Sequence, residues 1–187
     1  KPTLHGEMIW CQGYSEPNAG SDLASLQTKA ELVNGEWVIN GQKIWTSTAQ
    51  YAHMMFCLVR TEPDASKHAG ISYLLIPMDT PGIEIRPLVD MTLKAGFNEV
   101  FFTDVKIPET NIVGSRGEGW AVANATLGHE RGSLAPPDAI MSRLNMLIEL
   151  MQKETLDGKP LSDDSIYRDR LMKIQAKVMA FQSHALR

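Results

Sequence analysis

The spacing of apolar residues changes once along the chain, and this change constrains the fold more than any other feature. Short runs of β-branched, aromatic and apolar residues follow one another from residue 26 to residue 105, divided by turn signals. Runs of this kind predict strands, and strands without intervening helices predict an antiparallel β-barrel or sandwich. After Pro108 the spacing becomes helical, and three apolar stripes predict helices of a bundle. We therefore expect a β domain at residues 1–108 and the start of a helical domain at residues 109–187.

Several turns and helix ends can be placed from single residues. Asn34-Gly35 and Asn40-Gly41 lie between short apolar runs, which is the strongest local signal for a hairpin turn. Pro136 and Pro137 interrupt the helical pattern. Ser162, followed by two aspartates, predicts the N-cap of the last helix.

Composition limits the function classes. The 187 residues carry a net charge of −4, so bulk charge favours neither nucleic acid nor an anionic membrane as a partner. No apolar run reaches the roughly 20 residues of a membrane span, and the five histidines lack metal-ligand spacing. The two cysteines, Cys11 and Cys57, are too few for a disulfide framework and predict buried, reduced thiols in a cytoplasmic protein.

Three segments contain residues suited to chemistry, and each has a plainer reading. Residues 15–22 (SEPNAGSD) predict a tight loop in which backbone N–H groups and hydroxyls could converge on a ligand, although such loops are often ordinary turns. Residues 43–47 (KIWTS) place an indole beside two hydroxyls, which also suits a buried core tryptophan. Glu130 and Arg131 flank the inward side of a predicted helix, where they could equally form a structural ion pair or a subunit contact.

Taken together and in order, these segments resemble a known family. Residues 11–22 (CQGYSEPNAGSD), followed by residues 39–47 (INGQKIWTS), resemble the signature of the acyl-CoA dehydrogenases. Residues 99–120 (EVFFTDVKIPETNIVGSRGEGW) resemble that family's exit from its β domain. The resemblance implies a β-barrel domain between two helical domains, with the first helical domain absent from this chain and the last one truncated.

The family resemblance also implies an activity and a set of site residues. It implies FAD-dependent α,β-desaturation of an acyl-CoA thioester, with electrons passed to an electron-transfer flavoprotein. Glu130 would be the catalytic base, although some members of the family supply the base from a later C-terminal loop instead. Ser21 and Arg131 would contact the acyl-CoA. The family usually has Thr where this chain has Ser15 and Ser47, and each change keeps the hydroxyl donor. The residues that would contact the flavin are Gln12, Tyr14, Ser15, Gly20, Ser21, Trp45, Thr46 and Ser47.

Two positions depart from the family pattern. Gly128 stands where many members have an Asp that contacts CoA, and Glu154 stands where an Arg would reach the cofactor of a neighbouring subunit. A carboxylate cannot replace that Arg on a pyrophosphate, so the resemblance extends to branches that form tetramers from two different subunits and act on steroid side chains or dicarboxylic acyl-CoAs. A homotetramer remains open.

Other functions also remain open at this point. The protein could be a non-catalytic partner subunit, or a related flavin oxidase or monooxygenase. We expect the isolated chain, as a fragment of a longer polypeptide, to be inactive.

Overall fold

The computed structural model describes residues 2–133 and 136–185, and the side chains of residues 131–133 and 185 lie outside this description. Contacts group the chain into two compact units, Lys1–Ala125 and Thr126–Arg187. Within the described residues, no helix combines the length and apolar character that crossing a membrane requires.

The first unit contains one mixed sheet of seven strands. Six of these strands are hydrogen-bonded in the order β1-β4-β2-β3-β7-β6, and the remaining strand, β5, pairs with β4. The strand bounds are β1 (Trp10–Gly13), β2 (Lys29–Val33), β3 (Glu36–Ser47), β4 (Met54–Arg60), β5 (Ile71–Pro77), β6 (Ile83–Leu88) and β7 (Phe97–Pro108).

The sheet curls around a single apolar core. Side chains from β1, β2, β3, β4, β5 and β7 join one buried cluster, which means that strands far apart in the sheet order face the same interior. β1, β5 and β6 each pair with a single strand among the described residues, and no pairing there joins β5 to β6. Core residues without solvent exposure include Ile39, Met55, Cys57, Val59, Leu74, Ile76, Val100 and Val105.

The predicted fold class, a β domain followed by helices, is confirmed, but the prediction that all strands are antiparallel is wrong in one region. β1 runs parallel to β4, with Trp10 opposite Met54, and β2 meets β4 in a parallel pair at Lys29 and Arg60. A tight hairpin makes its two strands antiparallel, whereas a long connection lets the chain return in the same direction. The connection from β1 to β4 contains the whole β2–β3 hairpin, so the parallel arrangement is possible there.

The two Asn-Gly dipeptides have different structures. Asn34 and Gly35 form the predicted hairpin turn with φ angles of 53° and 81°, and they connect β2 to β3. The second prediction is wrong, because β3 continues through Asn40 and Gly41 with a shift of register against β7. A Cβ atom on Gly41 would lie 2.6 Å from the Cα of Thr28, so this glycine permits a close approach of two backbones.

The helical part consists of α1 (Gly119–Ser133), α2 (Pro137–Lys153) and α3 (Ser165–Ala185). Between α2 and α3, two strands of two residues each, β8 (Thr155–Leu156) and β9 (Lys159–Pro160), form a small hairpin. α2 and α3 share a buried cluster of Leu144, Met151 and Leu171.

The predicted cap at Ser162 is wrong. The Oδ1 atom of Asp164 accepts from the backbone N–H of Ile166 at 2.8 Å and of Tyr167 at 3.2 Å, so Asp164 caps α3. Residues Leu161–Asp163, which include Ser162, form a separate 3-10 turn.

Both cysteines are free and buried, as predicted. Burial, with a smaller contribution from Cys57, raises the pKa of Cys11 to about 12. Burial also raises the pKa of Cys57 to about 11. Because the thiolate is the reactive form, both thiols are inert packing groups at neutral pH.

Candidate functional site

The segment after β1 forms a tight loop, as the sequence predicted. The backbones of Glu16 and Ala19 exchange two hydrogen bonds of 3.1 Å and 3.0 Å, which closes a turn over Pro17 and Asn18. Proline fixes φ, and asparagine tolerates turn conformations, so this sequence suits the turn. The loop holds the Tyr14–Glu16 segment at the end of β1.

The end of β3 carries an unusual tryptophan. Trp45 has a φ of 60°, and the register of β3 against β7 shifts between Lys43 and Thr46. Its side chain is 59% exposed and makes an edge-on contact with Phe97, with ring centroids 5.9 Å apart. A bulky residue with positive φ persists only when its surroundings hold it there, and such residues cluster at functional sites.

The two segments lie against each other. The backbone N–H of Ile44 donates to the carbonyl of Ser15 at 2.9 Å. The ammonium of Lys43 donates to the carbonyl of Tyr14 at 3.1 Å and to Oε1 of Glu16 at 2.8 Å. The structure therefore brings Tyr14 and Ser15 next to the strand end that carries Trp45.

A second anchor holds the strand end from the other side. The side-chain amide of Asn98 donates to the carbonyl of Thr46 at 2.9 Å and to Oε1 of Gln50 at 2.6 Å. Both Thr46 and Asn98 are fully buried. Thr46 Oγ1 and Asn98 Oδ1 have no hydrogen-bond partner among the described residues. Buried polar atoms without a partner are uncommon, and a bound ligand or water is one explanation for them.

The remaining predicted flavin contacts differ in exposure. Gln12 and Ser15 are half-buried, and Ser47 is exposed. Gly20 and Ser21 are exposed at the far end of the loop, and a Cβ atom added to Gly20 would meet open space. The loop is tied down beyond Ser21, where Asp22 pairs with Lys67 at 2.6 Å.

Two of the predicted substrate-side residues, Glu130 and Arg131, belong to the second unit, whereas Ser21 belongs to the first. Glu130 lies near the C-terminal end of α1, and its side chain is exposed. The side chain of Arg131 lies outside the described residues. The sequence interpretation placed both charges on the inward side of a helix; within the described chain, Glu130 faces solvent.

Three residues that organise the site were missed by the sequence interpretation: Glu16, Lys43 and Asn98. For Lys43 a signal existed, because period-two alternation from Trp37 and Ile39 along β3 reaches Lys43 on the buried face. Nothing in the sequence shows that Glu16, in a loop, would be the partner of this lysine. Asn98 lies at the start of β7 and has no local signal.

The charge state of Glu16 depends on its partners. Burial alone would raise the pKa of Glu16, but the Lys43 ammonium outweighs it, together with hydrogen bonds from Lys43, Gln27 and Thr28, and holds this pKa below its ordinary value. A carboxyl group with a lowered folded-state pKa stabilises the fold above its ordinary range, and this stabilisation is lost as pH falls through the lowered value.

We therefore expect acid to destabilise the protein less steeply after Glu16→Gln. The variant should have a lower free energy of unfolding than wild type at neutral pH. This difference in free energy should narrow as pH falls below the ordinary pKa range of a carboxyl group. Urea unfolding midpoints across a pH series measure this, with Glu31→Gln, which removes an exposed carboxylate on β2, as the control. If wild type and Glu16→Gln lose the same amount of stability as pH falls, the lowered pKa of Glu16 is contradicted.

Comparison with known proteins identifies the family. Residues 11–105 match the family model "Acyl-CoA dehydrogenase, middle domain", and residues 117–187 match "Acyl-CoA dehydrogenase, C-terminal domain". The chain is 48% identical over 180 residues to acyl-CoA dehydrogenase IpdE1 of Mycobacterium tuberculosis, an alignment that covers 95% of this chain and 46% of that protein.

Solved structures agree with this match. The ChsE4–ChsE5 complex of Mycobacterium tuberculosis superposes with a TM-score of 0.81 at 34% identity, over 99% of this chain and 48% of that one. The Tcur3481–Tcur3483 steroid ACAD G363A variant, where ACAD abbreviates the family name, superposes with a TM-score of 0.85 at 30% identity, over 99% of this chain and 47% of that one. The chain thus spans about half the length of these relatives. It belongs to the acyl-CoA dehydrogenase family.

Proposed function

We propose that the whole protein is an FAD-dependent acyl-CoA dehydrogenase, which desaturates an acyl-CoA thioester between its α and β carbons. The observation that carries this proposal is the exposed indole of Trp45, held in a positive-φ conformation beside the Tyr14–Ser15 segment. A flavin ring has flat apolar faces and a polar edge. An exposed indole next to hydroxyl groups and backbone amides offers both kinds of contact.

The residues of the first unit fit a bound flavin. Trp45 would pack beside the ring, and the hydroxyls of Ser15 and Ser47 would donate to its polar atoms. Thr46 Oγ1, buried without a partner in the described chain, has hydrogen-bonding capacity to spare at this point. Gln12 and Tyr14 would contribute through their backbone, and Gly20 and Ser21 at the end of the loop. When bound, the flavin accepts the hydrogen and the electron pair that leave the β carbon.

The substrate side depends on α1. We propose that Glu130 removes the α-proton of the thioester and that Arg131 and Ser21 hold the acyl-CoA. A carboxylate is a stronger base when water is excluded, because desolvation raises its pKa. Since Glu130 is exposed in the described chain, a bound acyl-CoA would have to exclude that water. Hydrogen bonds to the thioester carbonyl would stabilise the enolate-like charge that develops.

Glu154 favours a second candidate function. In this alternative the protein is one subunit of a hetero-oligomer and supplies only part of each cofactor site. Glu154 is exposed where α2 ends, and its carboxylate would repel a pyrophosphate. The ChsE4–ChsE5 structure is a complex of two different proteins, and Tcur3481–Tcur3483 is a steroid ACAD. We propose that the protein belongs to a tetramer of two different subunits that acts on a steroid side chain. We also propose that this tetramer lies in the cytoplasm and passes its electrons to an electron-transfer flavoprotein.

The test is the visible absorption spectrum of the whole purified protein, with flavin counted per chain before and after anaerobic addition of acyl-CoA. One flavin per chain that bleaches supports a self-sufficient dehydrogenase. Half a flavin per chain, appearing only with a co-expressed partner, supports the shared site. Absence of flavin both from the protein alone and from the protein with its partner would contradict the proposal. Stoichiometric oxygen consumption with acyl-CoA would show that the protein is an oxidase and not a dehydrogenase.

A further inference from the structure

The first unit contains a buried ion pair that no part of the proposed mechanism uses. Lys43 Nζ lies 2.8 Å from Glu16 Oε1, and the side chains are 0% and 8% exposed. Removing two charges from water is costly, and apolar side chains of similar volume often stabilise a core equally well. The presence of the pair is therefore not explained by stability alone.

The hydrogen bonds of the pair connect three separate pieces of chain. Besides Lys43, Glu16 Oε1 accepts from the backbone N–H of Thr28 at 2.9 Å, and Oε2 accepts from that of Gln27 at 2.6 Å. Lys43 also donates to the carbonyl of Tyr14 at 3.1 Å. One carboxylate and one ammonium thus fix the loop after β1, the start of β2 and the end of β3 relative to one another.

The pair is adjacent in sequence to the residues proposed to face the flavin. Ser15 directly precedes Glu16, and Trp45 follows Lys43 by two positions. Trp45 lies between two buried anchors, since Lys43 is fixed on one side and Asn98 holds the carbonyl of Thr46 on the other. A strained backbone conformation needs fixed neighbours on both sides.

We propose that the Glu16–Lys43 ion pair is a positioning device for the flavin, which sets the placement of the Ser15 hydroxyl relative to the Trp45 ring. Glu16 and Lys43 are positioning residues, because they act through Ser15 and Trp45 without touching the cofactor. Charged hydrogen bonds have fixed distances and directions, whereas an apolar contact in the same place would allow sliding. This inference rests on the flavin-binding function proposed above.

The experiment uses the whole protein and three variants: Glu16→Gln, Lys43→Met and the double variant. Each single variant leaves an uncompensated buried group and should lower both the unfolding midpoint and FAD affinity. The double variant removes both charges, so its unfolding midpoint should return toward the wild-type value. Its FAD dissociation constant should stay raised by about tenfold or more, with an altered visible flavin spectrum.

Unfolding is measured after removal of FAD, because a bound ligand itself stabilises the fold. Lys29→Met is the matched control, since it removes a lysine of an exposed pair with Glu31 on the same sheet and should change neither quantity. A double variant that regains both stability and wild-type FAD affinity would show a purely structural pair. A double variant with an unfolding midpoint as low as those of the single variants would also show a purely structural pair. The same conclusion would follow if the single variants fold and keep the wild-type FAD affinity and flavin spectrum. Wild-type protein that binds no FAD, either alone or with a co-expressed partner, contradicts the proposed function instead, independently of the variants.

Discussion

Replacing Glu130 by Gln is expected to slow the reduction of flavin by acyl-CoA by at least ~10²-fold and up to ~10⁴-fold, the usual contribution of a general base. Glutamine is nearly the same size as glutamate but cannot accept the α-proton. Because Glu130 lies in the second unit, outside the segments proposed to hold the flavin, the amount of flavin per chain should not change. Anaerobic stopped-flow mixing of enzyme and acyl-CoA, followed at the visible flavin band, measures the rate.

The matched control is Glu149→Gln, because Glu149 is also an exposed helical glutamate of the second unit. This variant should reduce its flavin at the wild-type rate. If Glu130→Gln keeps the wild-type rate, the base is another residue and Glu130 is a surface carboxylate. If both variants lose flavin, the change acts on binding and not on proton transfer.

Replacing Trp37 by Ala is expected to lower the free energy of unfolding by about 3–5 kcal/mol, the range for removal of a buried Trp. Trp37 is 1% exposed within the core of the first unit. Its indole N–H donates to the carbonyl of Glu109 at 3.2 Å, and the guanidinium of Arg116 lies over its ring at 5.6 Å. The variant loses the packing, leaves a cavity and removes the hydrogen bond to that carbonyl.

The same strand offers a matched control in Trp45→Ala. Trp45 is largely exposed, and alanine at a positive φ carries no greater strain than tryptophan, so the free energy of unfolding should change by no more than about 0.5 kcal/mol. Urea unfolding of the flavin-free protein measures both variants. Equal losses would mean that Trp45 contributes to the core, and would remove the main support for its role beside the flavin.

The order and type of most secondary-structure elements could be predicted from the sequence. Two identical local signals, however, adopt different structures. Asn34-Gly35 and Asn40-Gly41 have the same turn propensity, yet only the first becomes a turn. At Gly41 the neighbouring Thr28 requires the close approach that glycine allows, and β7 pairs with β3 on both sides of the bulge. Such long-range pairing cannot be read from a dipeptide.

The candidate site was predictable in part for the same reason. Its two segments could be identified from their residues and from the family resemblance. The bonds that hold them together link Glu16 to Lys43 and Asn98 to Thr46, residues distant in sequence. The exposure of Trp45 also depends on a backbone conformation that alternation does not predict, since the strand reverses its facing between Lys43 and Thr46.

The parallel pairing of β1 with β4 has a consequence for the order in which the molecule is assembled. The β2–β3 hairpin forms from neighbours in sequence, whereas β1 must wait for β4, which is made after that hairpin. Contacts between distant residues form slowly, because a long loop must close first. We therefore expect β1 to pair with β4 only after the β2–β3 hairpin has formed, so that capture of the proposed flavin follows the folding of that hairpin.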